Sequence, residues 1–423
     1  MRLGLLAFGT RGDVQPLLSL AWALRERGRD VELGVPDNFV ATCQRAGIAA
    51  TPLGLDAEAV LATPLAQDAL ARGDILAFLE LLEEGNRQAA AAVDEATRQI
   101  AARCDGLLAG SLMVERASVV HEATGKKIAS HHVFPFVPTR AWAHPLLPVA
   151  SLGLGALNRW SGEALTRLAL HRAKAEHDRF RESYGLGPTV SSGLLASYRG
   201  SAPVINAFSE AVVPRPDDWG PAVKVTGWWR VPAGLRAALG EDAVDPALLA
   251  WLEAGPPPVF FGFGSMPVRE PARLLEAVRA VCGRLGVRAL VGAGWSAFAG
   301  TSEDGLFVAR SFDHSRVLPR CRAAVHHGGS HTTFASLSAG LPTHIASVIA
   351  DQPYWGGRVT ALGVGGTSRF KDLDEGRLTA AVARLLEPAV AERARALAAR
   401  LSEEDGLAVA VKEAEAWFFG EGA

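Results

Sequence analysis

The chain reads as an alternating α/β protein in two parallel-sheet halves. Three observations lead there. Apolar runs of strand length are followed by helix-period segments from the first residues onward. That alternation breaks at the punctuated stretch VVPRPDDWGP and then restarts. With 423 residues, there is room for two domains of about 200 residues, each with its own core.

Leu3 to Phe8 forms the first strand, GTRGD a turn, and Val14 to Arg27 a helix with Pro16 in its first turn and Gly28 closing it. DVELGVP is the next strand. Asp37 starts a second helix that ends near Gly47, and IAATPLG is a third strand. A βαβαβ order of this kind predicts a parallel sheet with crossovers. Ala-rich helical sequence fills 57–103, and DGLLAGS is another strand. Prolines and aromatics without clean periodicity occupy 133–160, the composition of loops and short helices around pockets. Pro203 to Phe208 is a strand. After the break, KVTGWW ends a strand and 231–257 is helical and Pro-rich. PPVFFGFGSMP is a buried strand with a glycine turn, PARLLEAVRAVCGRLG an amphipathic helix, and VRALVGAG a strand. VKEAEAWFFGEG closes the chain as a helix.

Hydrophobic residues make up 49%, which marks a well-buried globular protein. Basic and acidic residues number 43 and 45, for a net charge of −2 with no basic block, so nucleic-acid binding has little support. Cys43, Cys104, Cys282 and Cys321 lie far apart with no CxxC, favouring reduced thiols and a cytoplasmic protein. The apolar part of MRLGLLAFGTRGD is too short for a signal peptide, and no run approaches the roughly 20 residues of a membrane span. PLLPVASLGLGAL is short and broken by Pro and Gly; it can touch a membrane surface or a greasy substrate but not cross a bilayer.

The most informative stretch is AAVHHGGSHTTFASLSAGLPTHIASVIADQPYWGGRVTALGVG. RAAVHH is a strand, GGSHTT a turn opening a helix, and FASLSAG the helix body with Gly340 as its stop and Pro342 beyond. A strand ending in His-His-Gly-Gly aims free backbone N–H groups and a positive helix end at one point, where a diphosphate fits. Asp351 and Gln352 follow about twenty residues later and suit vicinal sugar hydroxyls. A phosphate cradle followed by a hydroxyl reader indicates a nucleotide-sugar.

This segment resembles the donor motif of family 1 glycosyltransferases, which have the GT-B fold of two Rossmann-like domains facing a cleft. It is most similar to the bacterial natural-product and sterol members, whose version runs HHGGxGTT, GxP, DQPxWGxRV; His331 stands here where Gly is usual. The resemblance divides the chain into an acceptor-binding domain (1–213), a linker (214–245), a nucleotide-sugar domain (246–405) and a C-terminal helix (406–423) crossing back to the first domain. His326 is the side-chain candidate for the diphosphate, with Gly328, Gly329, Ser330, His331 and Thr332 in the same turn; His327 is either a ligand or structural.

Asp13, at the carboxyl end of the first strand, is a helix-cap residue or a catalytic one. GTRGDVxP recurs in glycopeptide and sterol members, where the matching Asp is the proposed general base. The GFGSMP turn resembles the family's GSM turn in the cleft, which implies Ser265 as a hydrogen-bonder to the donor phosphates or on the acceptor side; Pro267 breaks a dinucleotide fingerprint. SFDHSRVLPR occupies the nucleobase-loop slot, keeping only His314, Pro319 and Arg320 of the pattern. Phe312 contacts the base or fills the core, and Trp295 lies near the same region. HHVFPFVPTRAWAHP resembles the acceptor-side stretch of sterol and polyketide enzymes, implying His131, Phe134, Phe136 and Trp142, with Met113, around a flat apolar acceptor; the same aromatics equally suit a core. Asp372-Leu373-Asp374 is a formal DxD without accompanying ligands, so no metal and no other cofactor is expected.

The implied activity is inverting transfer of a hexose from a UDP- or dTDP-sugar to a hydroxyl of a lipophilic acceptor. Asp13 is the base, Asp351 and Gln352 hold the sugar, and the chain acts as a monomer or homodimer. A sugar-nucleotide epimerase of the same fold is the alternative, against which the 131–160 aromatics argue. A non-catalytic partner that activates another transferase is a third reading. Retention of Asp13 with Asp351-Gln352 argues against it.

Overall fold

The computed structural model describes residues 1–72, 75–147, 149–241, 244–262, 271–294, 305–310 and 312–420. They form two compact units, Met1–Val60, Glu80–Leu239 and Glu404–Ala423 in the first, Leu61–Leu79 and Gly240–Glu403 in the second.

The first unit is built on strands β1 (Arg2–Leu6), β2 (Asp30–Val35), β3 (Ala49–Pro52), β4 (Gly106–Gly110), β5 (Lys127–His132), β6 (Val204–Asn206) and β7 (Val223–Val225). They lie in the order β3-β2-β1-β4-β5-β6-β7, every described pairing parallel. The order reverses beside β1, so the loops after β1 and β4 diverge and leave a crevice at the carboxyl edge. The first helix, Arg11–Glu26, packs Leu17, Leu18, Ala21 and Leu24 against β1 and β2. β5 escapes pattern reading because Ser-His-His ends a strand buried along almost its whole length. β7 and the buried Trp229 lie inside the stretch read as a linker. Pro and Gly there punctuate an edge strand that still belongs to this unit.

The C-terminal helix, Gly406–Ala414, is part of the same unit. Leu407, Ala410, Val411, Ala414 and Phe418 share a core cluster with Leu3, Leu17 and Leu24. Buried Glu415 accepts hydrogen bonds from Arg27 at 3.1 Å and Arg29 at 2.9 Å, and Trp417 Nε1 donates to the Ile128 carbonyl at 2.9 Å. This is the packing that the family resemblance implied.

The second unit has β8 (Val259–Gly262), β9 (Ala289–Gly292), β10 (Leu306–Ala309), β11 (Ala323–His326), β12 (Thr343–Ser347) and β13 (Gly365–Arg369), in the order β10-β9-β8-β11-β12-β13. All described pairings are again parallel. Its switch point lies beside β8, next to β11. β13 was not legible as a strand: Gly-Gly-Thr-Ser-Arg carries no apolar run, and it is held by its pairing with β12. Both units are thus doubly wound Rossmann-like sheets.

Candidate functional site

At the carboxyl edge of the first sheet, Thr10 caps the helix Arg11–Glu26 and Asp13 is its third residue. The Asp13 carboxylate folds back so that its Oδ2 accepts from the Thr10 backbone N–H at 2.9 Å and the Thr10 hydroxyl at 3.4 Å. Gly9, at φ +130°, makes this possible: a Cβ there would lie 2.3 Å from Asp13 Oδ2. Burial pushes the Asp13 pKa up to about 6, against the Thr10 hydrogen bonds that lower it. The N-cap is Thr10, and Asp13 joins the cap as the third residue of the capping box, not as the N-cap itself; the burial leaves a carboxylate more basic than an ordinary aspartate.

Across the same edge, β5 presents His131 and His132, both buried. His131 Nδ1 lies 3.2 Å from the Ile205 carbonyl and its ring stacks on Trp229 at 4.4 Å, while its Nε2 is buried without a partner. His132 bonds Ser111 Oγ through Nδ1 at 2.6 Å and faces the Tyr198 hydroxyl through Nε2 at 3.4 Å. Phe136 stacks on His132 and meets His144 edge-on; Phe134 packs on Phe136 at 5.2 Å. Burial drives the His131 and His144 pKa down to about 4 and that of His132 to about 3. These imidazoles are neutral at physiological pH. Trp142 meets Trp219 edge-on at 6.0 Å.

In the second unit, Gly329 precedes the helix Ser330–Ser338 and no side chain caps it. First-turn N–H groups of Ser330, His331 and Thr332 are among those an α-helix cannot satisfy internally, and these residues are partly exposed. Gly328 sits at φ +92°, and a Cβ on it would lie 2.4 Å from Ile345 Cγ2 and 3.3 Å from Gln352 Cβ. The turn after β11 therefore touches the start of the next helix, Gln352–Ala361. There the left-handed Ala350, φ +57°, turns the chain into Asp351, a costly conformation for a residue with a Cβ. Asp351 Oδ2 accepts from the Trp355 indole N–H at 2.6 Å, and buried Gln352 accepts through Oε1 from Val348 and Ile349 N–H at 2.8 and 3.2 Å. Trp355 in turn packs edge-on against Phe334 of the preceding helix. After β10, half-buried Phe312 and His314 meet buried Phe260 of β8.

The Glycosyltransferase family 28 N-terminal domain matches residues 3–142, and the Erythromycin biosynthesis protein CIII-like C-terminal domain matches 306–411. An uncharacterized glycosyltransferase of Mycobacterium leprae is 32% identical over 419 residues, 96% of this chain and 94% of its own. The chain belongs to the family 1, GT-B glycosyltransferases. A sterol 3-beta-glucosyltransferase of Arabidopsis thaliana is 31% identical over 97% of this chain, which spans 65% of that longer relative. Among solved structures, a Streptomyces sp. SF2575 glycosyltransferase complexed with thymidine diphosphate aligns with TM-score 0.60 at 20% identity, covering 98% of this chain and 99% of the other.

Two expectations for this glycosyltransferase need correcting. His326 does not present a free ring: Nδ1 accepts from Gly328 N–H and Nε2 bonds Ser336 Oγ, both at 3.1 Å, and burial holds its pKa well below the usual range. It braces the turn from beneath. Met113 is fully buried in the core beneath β4, so it cannot line an acceptor surface. Ser265 and Trp295 lie outside the described residues. Asp374 caps the helix Glu375–Leu385 through Arg377 N–H at 2.8 Å, and no group of three metal-ligating side chains occurs among the described residues. Sequence reading missed Trp355, Ser336 and Tyr198. Trp355 had a signal, since its i+4 spacing from Asp351 puts both on one helix face.

Proposed function

We propose that this glycosyltransferase moves a hexose from a UDP- or dTDP-sugar to a hydroxyl of a lipophilic acceptor, a polyketide, sterol or other natural product, with inversion. The acceptor oxygen attacks the anomeric carbon as the bond to the diphosphate breaks. Its proton passes to Asp13, and the nucleoside diphosphate leaves with the electron pair, carrying one more negative charge than it had in the donor. Among the groups at the first edge, Asp13 is the stronger base: its conjugate acid sits near pKa 6, whereas those of His131 and His132 sit near 4 and 3.

The observation that carries the reading is the contact of Gly328 with Gln352. It joins an uncapped helix start, suited to an anion, to the carboxylate-bearing start of the next helix. A diphosphate on the first puts its sugar beside Asp351, whose carboxylate oxygens can accept from hydroxyls. The aromatic group of Phe312 and His314 supports a nucleobase nearby. Stabilisation of the leaving group falls to the helix N-terminus, and no divalent metal is required.

A panel of UDP- and dTDP-hexoses, read by thermal shift and by nucleoside diphosphate release with sterol and macrolide acceptors, tests this. One nucleotide class should stabilise the protein and support transfer. A chain stabilised by none of them does not have this activity.

A further inference from the structure

Two of the buried polar atoms that lack a partner among the described residues lie on one face of the first sheet, at its carboxyl edge. Gly110 pairs with His131 and His132 with Asn206, so register sets Ser111, His132 and Asn206 side by side at the ends of β4, β5 and β6. Alternation along β5 turns His132 away from Trp229, on which His131 stacks, and Asn206 shares the His132 face. Both nitrogens of His132 are already taken, by Ser111 and Tyr198. Asn206 donates its amide N–H to the Lys224 carbonyl at 3.0 Å, which fixes the amide and leaves Oδ1 an acceptor without a donor. His144 meets Phe136 edge-on, and Phe136 stacks on His132, so it belongs to the same cluster. Its Nδ1 accepts from Leu146 N–H at 3.3 Å and burial keeps the ring neutral, so the proton is on Nε2, a donor without an acceptor. Asn206 is 0% exposed and His144 3%, a depth at which an unmet polar atom marks a place for a ligand.

Chemistry narrows that ligand. The unmet pair is one donor and one acceptor, so it calls for an oxygen that accepts and a hydroxyl that donates. A sterol carries a single hydroxyl on a hydrocarbon frame, and in a transfer that hydroxyl is the nucleophile. At least one of the two buried atoms would stay unmet, against hydrocarbon. A charged ligand fares no better, because the cluster is neutral: burial lowers the His132 and His144 pKa to about 3 and 4 and raises that of the Tyr198 phenol. Glu115, whose charge reaches Tyr198, is held by Ser192 Oγ at 2.5 Å and Gly193 N–H at 2.8 Å. The rings of Phe136, His132 and Tyr198 suit a planar aromatic frame. Ser111, Phe136 and Tyr198 are partly exposed, and Ser111 opens the loop after β4, which borders the crevice opposite the Asp13 turn.

We propose that this cluster selects an uncharged, planar aromatic acceptor that carries a ketone as well as hydroxyls, with His144 and Asn206 as specificity-determining residues. His144 Nε2–H meets the ketone oxygen, and a ligand hydroxyl donates to Asn206 Oδ1. The inference rests on the transfer reading, in which this edge receives the acceptor. Titration calorimetry of the full chain without nucleotide tests it, using hydroxyanthraquinone, anthraquinone, hydroxyanthracene and cholesterol, each phenol in its neutral form. Hydroxyanthraquinone should bind about tenfold or more tightly than either aromatic that lacks one group, and cholesterol least of all. His144→Phe should weaken hydroxyanthraquinone about tenfold and leave hydroxyanthracene unchanged, with partial rescue in His144→Gln, which keeps an N–H. Asn206→Leu should weaken hydroxyanthraquinone similarly and spare anthraquinone. A merely structural role would lower binding of every probe alike, and that result overturns the proposal. So does cholesterol binding as tightly as hydroxyanthraquinone, or no binding of any aromatic probe. If a variant fails to fold, the wild-type ranking of the four probes decides. Tight hydroxyanthraquinone binding with no transfer from any nucleotide-sugar would sink the transfer reading and spare this one; transfer to cholesterol would do the reverse.

Discussion

The carboxyl edges of the two sheets are made of different chemistry. The first holds a carboxylate with raised pKa and three buried imidazoles with lowered ones. The second offers an uncapped helix N-terminus, hydroxyls and an aspartate fixed by an indole, while its His326 is consumed in bracing. On the proposed function, similar doubly wound sheets serve proton handling in one unit and anion holding in the other. The difference arises in the turn that leaves each strand: a capping box that turns a side chain inward after β1, glycines that bare the backbone after β11.

If the contrast is right, the largest effect belongs to the first edge. Asp13→Asn should lower turnover by about 10²–10⁴-fold with nucleotide affinity intact, and wild-type kcat/KM should rise with pH through about 6. The same variant should be more stable at pH 8, by about 1–2 kcal/mol, because it removes a carboxylate that burial penalises. Near-normal turnover would strip Asp13 of its role.

Next comes Asp351→Ala, which should cost about 10–100-fold in transfer and relax discrimination among hexoses, as one charge-assisted bond is lost. UDP or dTDP should bind as before. Parallel loss of nucleotide, with the fold intact by circular dichroism, would move Asp351 from sugar to nucleotide.

His326→Ala separates bracing from direct contact. It should destabilise the protein by about 1–3 kcal/mol, since buried Gly328 N–H loses its acceptor and Ser336 Oγ one of its bonds, and weaken nucleotide binding alongside. Weakened binding at an unchanged Tm would mean that the ring meets the phosphate itself.

The pH dependence of stability tests both edges together. His131, His132, His144 and His327 titrate near 3 to 4 when folded but near 6.5 when unfolded. The stability they contribute is present above pH 6.5 and lost as pH falls toward 4. Asp13 has the opposite sign, its contribution being full below 3.8 and lost as pH rises through about 6. The histidines outnumber it, so Tm should drop by about 5 °C or more between pH 7 and 5. The smallest effect expected is from EDTA, which should leave transfer unchanged; loss with rescue by Mg²⁺ would implicate Asp372 and Asp374.

By itself, the sequence determined the alternation of strand and helix, the break between two halves, and the positions of the GTRGD, HHGG and DQP turns. Apolar periodicity and glycine placement are local properties, and they survive being read one residue at a time. Trp355 lies in the same motif as Asp351, yet its bond to that aspartate depends on rotamers that a spacing only permits. Tertiary structure alone decided that His326 is a brace, because that requires Ser336 from the following helix beneath its ring. It alone buried Met113 and paired β13, whose Gly-Gly-Thr-Ser-Arg has no strand signal of its own. The Asp13 pKa likewise depends on its surroundings: the motif supplies the carboxylate, and desolvation by the folded unit raises it to about 6.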